Sequence, residues 1–175
     1  MFAKFARPTA RIGYSDKMVV VDYDGQPTLQ FRLANQRHSK VVDARIQVNA
    51  LIDVLTAEGQ SIRRLMPLRL LRDQSPAFRM SWIVIHPLDA DSPVRELAYG
   101  HAPPELLGVM VNTVGMDEVF SQTVHAQAVY GPEDIVFGHL FADMVSGNFA
   151  SGMIVDHGRL HDIEPAGYDP AEEDG

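Results

Sequence analysis

The sequence contains no cysteine among its 175 residues. That absence excludes disulfide bonds and thiolate metal sites, and it is compatible with a reducing compartment. No stretch approaches the roughly 18 consecutive apolar residues that a membrane-spanning helix needs, so we expect no transmembrane segment. The amino-terminal end also lacks the long apolar run of a secretory signal. With 46% hydrophobic and 22% charged residues, the composition is typical of one globular domain.

The motifs of the common enzyme classes are missing too. There is no glycine-rich phosphate loop, no G-x-S-x-G nucleophile turn and no H-E-x-x-H metal pair. His157 and His161 are four residues apart, but Gly158 and the apolar segment before them argue against a shared helix face. His86 follows the apolar run 82–85 and is better explained as a hydrogen-bonded histidine at the end of a strand. We therefore expect no enzyme, no cofactor and no metal site.

Charge is distributed unevenly along the chain, whose formal net charge is −8. The basic residues of the first 17 positions give that end a local charge of +3 and leave −11 for the rest. They are Lys4, Arg7, Arg11 and Lys17, opposed by Asp16. The acidic body argues against nucleic-acid binding. A basic end suits contact with anionic lipid headgroups, and the acidic body suits the attraction of cations. A basic end exposed to water would have the same composition.

Short apolar segments separated by turn residues predict an all-β sandwich or barrel. Asp24 and Gly25, between segments 18–23 and 28–33, predict a tight hairpin because both central positions of such a turn take positive φ. The apolar residues of the second segment alternate with polar ones, which predicts that only one face of this strand is buried. Further strands are expected at 62–71, 78–86, 106–114, 119–129, 135–145 and 152–156.

A longer strand is expected over 41–52. Its alternation places Val42 and Ala44 on the core face and Asp43 on the opposite face. The predicted core residues of the whole domain are Leu29, Phe31, Leu33, Val42, Ile46, Val48, Trp82, Val84 and Val109. A short helix is expected over 92–99, with Ser92 as its N-cap.

Six segments occur in an order that resembles one known family. The first has two parts, the basic, half-apolar opening at 2–12 and FRLANQRHS at 31–39. The other five are TAEG at 56–59, WIVIHPLDADSP at 82–93, GMDE at 115–118, DIVFGH at 134–139 and VDHGRLH at 155–161. Together they resemble the C-terminal cytoplasmic domain of the inward-rectifier potassium channels, and the bacterial branch in particular.

This resemblance implies an immunoglobulin-like β-sandwich with one or two short helices. It implies a homotetramer whose four copies surround a water-filled extension of a potassium pore, with a gate coupled to the inner membrane helices. Residues 1–13 then form the linker that leaves the inner helix, 14–163 the immunoglobulin-like domain, and 164–175 a disordered acidic tail. The full-length protein would carry this domain on the cytoplasmic side of the membrane, and the chain itself is expected to be soluble.

The same resemblance implies roles for particular residues. Asp43 matches a pore-facing acidic position on the path of potassium and other cations. The loop that narrows the cytoplasmic pore matches Val114, Gly115, Met116 and Val119. The contacts to anionic lipid headgroups match Lys4, Arg7 and Arg11, and Arg37 matches a contact near the subunit interface or the membrane-facing loops.

Two other classes of function remain open at this point. The chain could be a freestanding soluble immunoglobulin-like binding module that takes no part in conduction. It could also be an enzyme of a new type, which predicts a deep pocket with converging titratable groups.

Overall fold

The computed structural model of the chain describes residues 11–167. Strands dominate this range, so the predicted all-β sandwich is confirmed. In chain order the strands are β1 (Ile12–Tyr14), β2 (Met18–Tyr23), β3 (Gln26–Asn35), β4 (Val41–Leu55), β5 (Ser61–Pro67), β6 (Gln74–Phe78), β7 (Ser81–Pro87), β8 (Leu106–Asp117), β9 (Thr123–Tyr130), β10 (Ile135–Phe137), β11 (His139–Phe141), β12 (Val145–Asn148), β13 (Gly152–Val155) and β14 (Ile163–Pro165). Short 3₁₀ helices span Arg95–Tyr99, Pro132–Asp134 and His157–Arg159.

Two five-stranded sheets form the layers of the sandwich. In the first sheet, β3 pairs along one edge with β1 and β2, and along the other edge with β7. The short strand β10 runs parallel to β2, whereas the other pairs are antiparallel. In the second sheet, β4 pairs with β5 and β6 along one edge and with β8 along the other, and β9 pairs with β8. The described residues also form two small two-stranded sheets, in which β11 pairs with β14 and β12 pairs with β13.

The hairpin predicted at Asp24 and Gly25 joins β2 to β3. Both residues take positive φ, at 51° and 75°. Glycine adopts this conformation without a steric penalty and aspartate tolerates it, which explains why this dipeptide closes a two-residue turn.

The core lies between the two five-stranded sheets. Eight of the nine predicted core residues are buried in it, and Val42 is only half-buried. Its place is taken by Val41, which is 1% exposed, whereas Ala44 is fully buried as predicted. The alternation predicted for this strand is therefore wrong at its start, for a reason that the local geometry of β4 supplies below.

Strand β3 is buried on both faces, which corrects the prediction of a single buried face. Gln30 and Arg32 are 7% and 2% exposed, although both are polar. Arg32 lies beneath the segment that contains β11–β14, because its guanidinium donates to the carbonyl oxygens of Ala142, Arg159 and Leu160. Polar residues on a strand therefore mark a solvent-facing side only when no later segment covers it.

Several predicted elements are shorter than expected. The strand expected at 135–145 is interrupted at Gly138, whose φ of 70° breaks the extended backbone between β10 and β11. The segment expected as one strand at 78–86 belongs to two strands, β6 and β7. The helix expected over 92–99 is a 3₁₀ helix limited to Arg95–Tyr99, and Ser92 accepts a hydrogen bond from the amide of Val94 just before it.

Within residues 11–167, none of the helices has the length and apolar character required to cross a bilayer.

Candidate functional site: an acidic bulge beside an apolar turn

The predicted acidic residue Asp43 lies at a β-bulge in β4. The pairing of β4 with β8 changes register between Val42 and Arg45, and Asp43 has a φ of 49°. The extra residue lets Val41 and Ala44 both point into the core, which explains why Val42 does not. The side chain of Asp43 is 69% exposed on the outer face of the second sheet. Bulges redirect side chains in this way, and aspartate is among the few residues that tolerate such a backbone.

Gly115 faces this bulge from β8. A Cβ atom at this position would lie 2.3 Å from Cγ1 of Val41 and 3.2 Å from both Cα of Ala44 and the carbonyl oxygen of Val42. Gly115 is not among the glycines with positive φ, so backbone conformation does not require glycine here. The requirement is steric, because the bulged strand approaches β8 too closely for a side chain.

Two exposed apolar residues, Val114 and Met116, flank Gly115 on the outer face. Val114 lies in register with Arg45 of β4 on one side and with His125 of β9 on the other. Nε of Arg45 is 3.5 Å from Oδ1 of Asp43, and its side chain is 64% exposed. Around the bulge, the outer face therefore carries the exposed carboxylate of Asp43 and the exposed guanidinium of Arg45, beside an apolar strip formed by Val114 and Met116.

The predicted narrowing loop at 114–119 is mostly strand. Its residues as far as Asp117 belong to β8, and the turn that follows joins β8 to β9. Val119 is 66% exposed in this turn, and Phe120 is 69% exposed beside it. Sequence reasoning missed Phe120, although an aromatic residue next to an expected turn was a usable signal for an exposed apolar tip.

The turn is held in place by the buried carboxylate of Asp117. One of its oxygens accepts hydrogen bonds from the amides of Val119 and Phe120, at 2.8 and 2.9 Å. The other accepts from the guanidinium of Arg37 at 2.8 Å and from the hydroxyl of Ser39. The hydrogen bonds from Ser39, Phe120 and Arg37 hold the pKa of Asp117 well below its usual range.

Arg37, predicted near the subunit interface or the membrane-facing loops, thus pairs within its own chain. Its guanidinium links the segment between β3 and β4 to the turn after β8. The amide of Arg37 donates to Oδ1 of Asn35 at 2.8 Å, which fixes the direction in which the arginine leaves β3. Sequence reasoning did not predict this pairing, because the partners are 80 residues apart.

A continuous set of contacts connects the basic end to this turn. The carbonyl oxygen of Arg11 accepts from the amide of Gln36 at 2.9 Å, directly before Arg37. In β1, which follows Arg11, the hydroxyl of Tyr14 donates to Oγ1 of Thr113 at 2.7 Å. Thr113 directly precedes Val114 in β8. Arg11 is exposed and has a φ of 50°. Lys4 and Arg7, the other predicted lipid contacts, lie outside the described residues.

The side chain of His86, near the end of β7, is held by two hydrogen bonds. Nδ1 of His86 lies 2.6 Å from the carbonyl oxygen of Arg69, and Nε2 lies 2.7 Å from Oγ of Ser92. Burial lowers the pKa of His86, which favours the neutral ring. A neutral ring that donates through Nδ1 and accepts at Nε2 satisfies both contacts. In the range 11–167, no group of three histidine or acidic side chains is arranged to hold a metal ion.

Comparison with known proteins covers nearly the whole chain. The family model described as the inward rectifier potassium channel C-terminal domain matches residues 12–168. The chain is similar to the inward rectifier potassium channel Kirbac3.1 of Paramagnetospirillum magnetotacticum, with 35% identity over 167 residues that cover 93% of this chain and 55% of that protein.

Animal channels are similar over the same region. The G protein-activated inward rectifier potassium channel 1 of Rattus norvegicus is 30% identical over 173 residues, which cover 92% of this chain and 33% of the rat protein. The ATP-sensitive inward rectifier potassium channel 10 of Homo sapiens is 30% identical over 164 residues, which cover 88% of this chain and 42% of the human protein. The chain thus spans about half the length of the bacterial relative and less than half of these animal relatives.

Proposed function

The chain belongs to the inward rectifier potassium channel C-terminal domain family, and on that premise we propose that it is the cytoplasmic regulatory and pore-extending domain of a homotetrameric potassium channel. In this proposal four copies surround an aqueous path that continues the membrane pore. The outer face of the second sheet, around Asp43 and the turn after β8, faces the common axis.

Asp43 supplies the acidic group of the cation path. Its side chain is exposed, and the bulge directs it away from the core. Four such carboxylates around one aqueous axis lie beside the passing potassium or other cations, and the local potential depends on these carboxylates and on the charged groups that adjoin them.

The apolar strip beside Asp43 supplies the narrowing. Val114, Met116 and Val119 present exposed apolar side chains on one face and one turn. A ring of such groups around a narrow axis opposes ion passage by excluding water, so a small movement of the turn changes conduction. Gly115 contributes to this arrangement because, without a side chain, it lets β8 lie close to the bulge of β4.

The contacts from Arg11 through Gln36 and Arg37 to Asp117 supply the coupling to the membrane. Each is a hydrogen bond or ion pair between neighbouring groups, so displacement of the basic end is transmitted to the turn that Asp117 holds. Lys4, Arg7 and Arg11 are the proposed contacts to anionic lipid headgroups. Each basic residue near a charged leaflet contributes about 1 kcal/mol.

The position of Asp43 carries this proposal, and a chimeric channel tests it. The chimera replaces the matched region of the Paramagnetospirillum relative by residues 12–168 of this chain. We expect Asp43→Asn to lower outward potassium conductance or to weaken block by internal Mg²⁺. The control is Asp53→Asn, since Asp53 also lies on β4 and has its own arginine partner, Arg63, at 3.8 Å. The two carboxylates are roughly 30 Å apart along the strand. If Asp43→Asn and Asp53→Asn change potassium conductance and Mg²⁺ block equally, the result contradicts the proposed place of Asp43 on the cation path.

Assembly is tested on the chain itself. We expect weak, concentration-dependent association into tetramers, because residues 11–167 contain no membrane-spanning helix that could clamp the subunits, so the domain interface must offset the entropy of association. Sedimentation equilibrium at increasing concentration measures this. Monomers at all concentrations, together with a chimera that does not conduct, would favour a freestanding binding module.

The lipid contact is tested in the chimera extended to include residue 4. Replacing Lys4, Arg7 and Arg11 together by glutamine should change the response of potassium flux to anionic lipid in vesicles. The same response in the parent and the triple variant contradicts the contact.

A further inference from the structure

The exposed guanidinium of Arg45 lies beside the carboxylate that the proposed cation path depends on. Nε of Arg45 is 3.5 Å from Oδ1 of Asp43, and both side chains are more than half exposed. Two residues apart on a strand, they project on the same outer face, with the bulge between them. A path that receives Asp43 from each of four chains therefore also receives Arg45 from each.

We infer that Arg45 is the counter-ion of Asp43, so that the proposed ring is electrically neutral and Arg45 sets how strongly multivalent internal cations bind in it. This inference rests on the proposed function. An exposed ion pair of this kind contributes little to stability. Its effect on the path does not depend on that stability, because a charge 3.5 Å away lies well within the screening length of about 8 Å at physiological salt.

The other charges near the bulge do not restore an acidic ring. Lys40 and Glu118 neutralise each other at 3.0 Å. Asp117 is buried and pairs with Arg37. The residue across β8 from Arg45 is His125, which can add positive charge but not negative charge. On the β6 side, Asp73 precedes Gln74, which lies in register with Arg45, and it follows the basic residue Arg72. The charged residues that adjoin the bulge therefore carry no net acidic excess.

The chemistry of the ligand follows from this balance. Monovalent potassium needs little binding energy to pass a neutral, hydrated ring. A divalent cation binds more tightly where several uncompensated carboxylates meet, because its double charge gains more from their field. The structure thus assigns to Arg45 a role in keeping the path open when multivalent cations are present inside the cell.

A charge cycle in the chimeric channel tests the inference, with Mg²⁺ applied to the cytoplasmic side as the probe. We expect Arg45→Gln to tighten Mg²⁺ block on the order of tenfold, since clefts lined by one sign of charge concentrate counter-ions by about that factor or more. Asp43→Asn should weaken block. The double variant should return to the block of the parent, because its ring is neutral again, and Arg45→Lys should match the parent. Arg63→Gln, which removes the arginine of the similar Asp53 pair, is the matched control and should change nothing.

Two results would overturn the inference, and they differ in what else they overturn. If Asp43→Asn weakens block while Arg45→Gln leaves it unchanged, the path stands and the counter-ion role fails. If a conducting channel responds to neither substitution, Asp43 is off the path and the proposed cation path fails with it.

Discussion

The contact between Gly115 and the bulge of β4 can be tested by adding one methyl group. In Gly115→Ala, the new Cβ would meet Cγ1 of Val41 at 2.3 Å and two backbone atoms at 3.2 Å. Ordinary carbon contacts lie at about 3.5–4.0 Å. The valine would have to move by more than an ångström, and the backbone of the bulge by a few tenths. Overpacking of this kind costs about 1–3 kcal/mol, and the lower entropy of the unfolded alanine chain offsets about 0.4–1 kcal/mol of it.

A second substitution separates this clash from a general effect of alanine. Val41→Ala removes the atom that meets the new Cβ, at a cost of about 1.5–3 kcal/mol because Val41 is buried. In the double variant the worst contact is gone. Its loss in free energy of unfolding should therefore be smaller than the sum of the losses in the two single variants, by about 0.5–3 kcal/mol. Urea unfolding at 25 °C measures all three variants.

Gly167→Ala serves as the control, since nothing lies within 4 Å of a Cβ at that position and its φ is not positive. Its free energy of unfolding should stay within about 0.5 kcal/mol of that of the parent. Strict additivity of Gly115→Ala and Val41→Ala would refute the steric explanation, and Gly115 would then be needed for another reason.

Three further predictions concern the buried polar groups. Arg32→Met should destabilise the fold by about 3 kcal/mol or more, since three carbonyl oxygens lose their donor, and hydrogen exchange should rise first in 139–165. Asp117→Asn should reduce the loss of stability on acidification, measured by urea unfolding between pH 3 and pH 7: the folded carboxyl has a lowered pKa, so its contribution is present above the ordinary pKa of about 3.9 and is lost as pH falls. His86→Gln should reduce the loss of unfolding free energy as pH falls below about 6.5. In the folded parent the pKa of His86 is lowered, so the ring is protonated more readily in the unfolded chain and acid destabilises the fold. An unchanged pH slope in either of these two variants would contradict the assigned cause.

The sequence predicted what local patterns determine. The turn at Asp24 and Gly25 is confirmed because its dipeptide alone selects the backbone conformation. The alternation of Leu29, Phe31 and Leu33 correctly identified core residues because it repeats over a whole strand. The ordered motifs correctly indicated the family.

The features that escaped prediction depend on contacts between distant segments. The bulge at Asp43 packs closely against Gly115, more than 70 residues later in the chain. The burial of Arg32 depends on Leu160, 128 residues away. A side chain that donates to backbone carbonyls leaves no complementary residue type in the sequence, so neither the clamp of Arg32 nor its partners had a recognisable pattern.

The proposed site divides in the same way. Asp43 as an exposed acidic residue followed from period-two alternation, although the alternation around it was wrong. Its partner Arg45 is two residues away and was visible in the sequence, but only the geometry at the bulge shows that the two charges meet. Strand β8 extends to Asp117, three residues beyond the strand expected at 106–114, and this extension sets the positions of the buried carboxylate and of the turn that carries Phe120.

The central claim is that Asp43 from four chains faces one axis, and inter-subunit distances test it most directly. The chain has no cysteine, so Asp43→Cys gives it a single thiol for a spin label, in a chimera whose remaining part is also free of cysteine. Electron–electron double resonance on the assembled channel should give two distances in the ratio of a square's side to its diagonal. Both should be shorter than those from a label at Glu58, in the exposed turn between β4 and β5. Distances at Asp43 that equal or exceed those at Glu58, or that lack the square relation, would contradict the account.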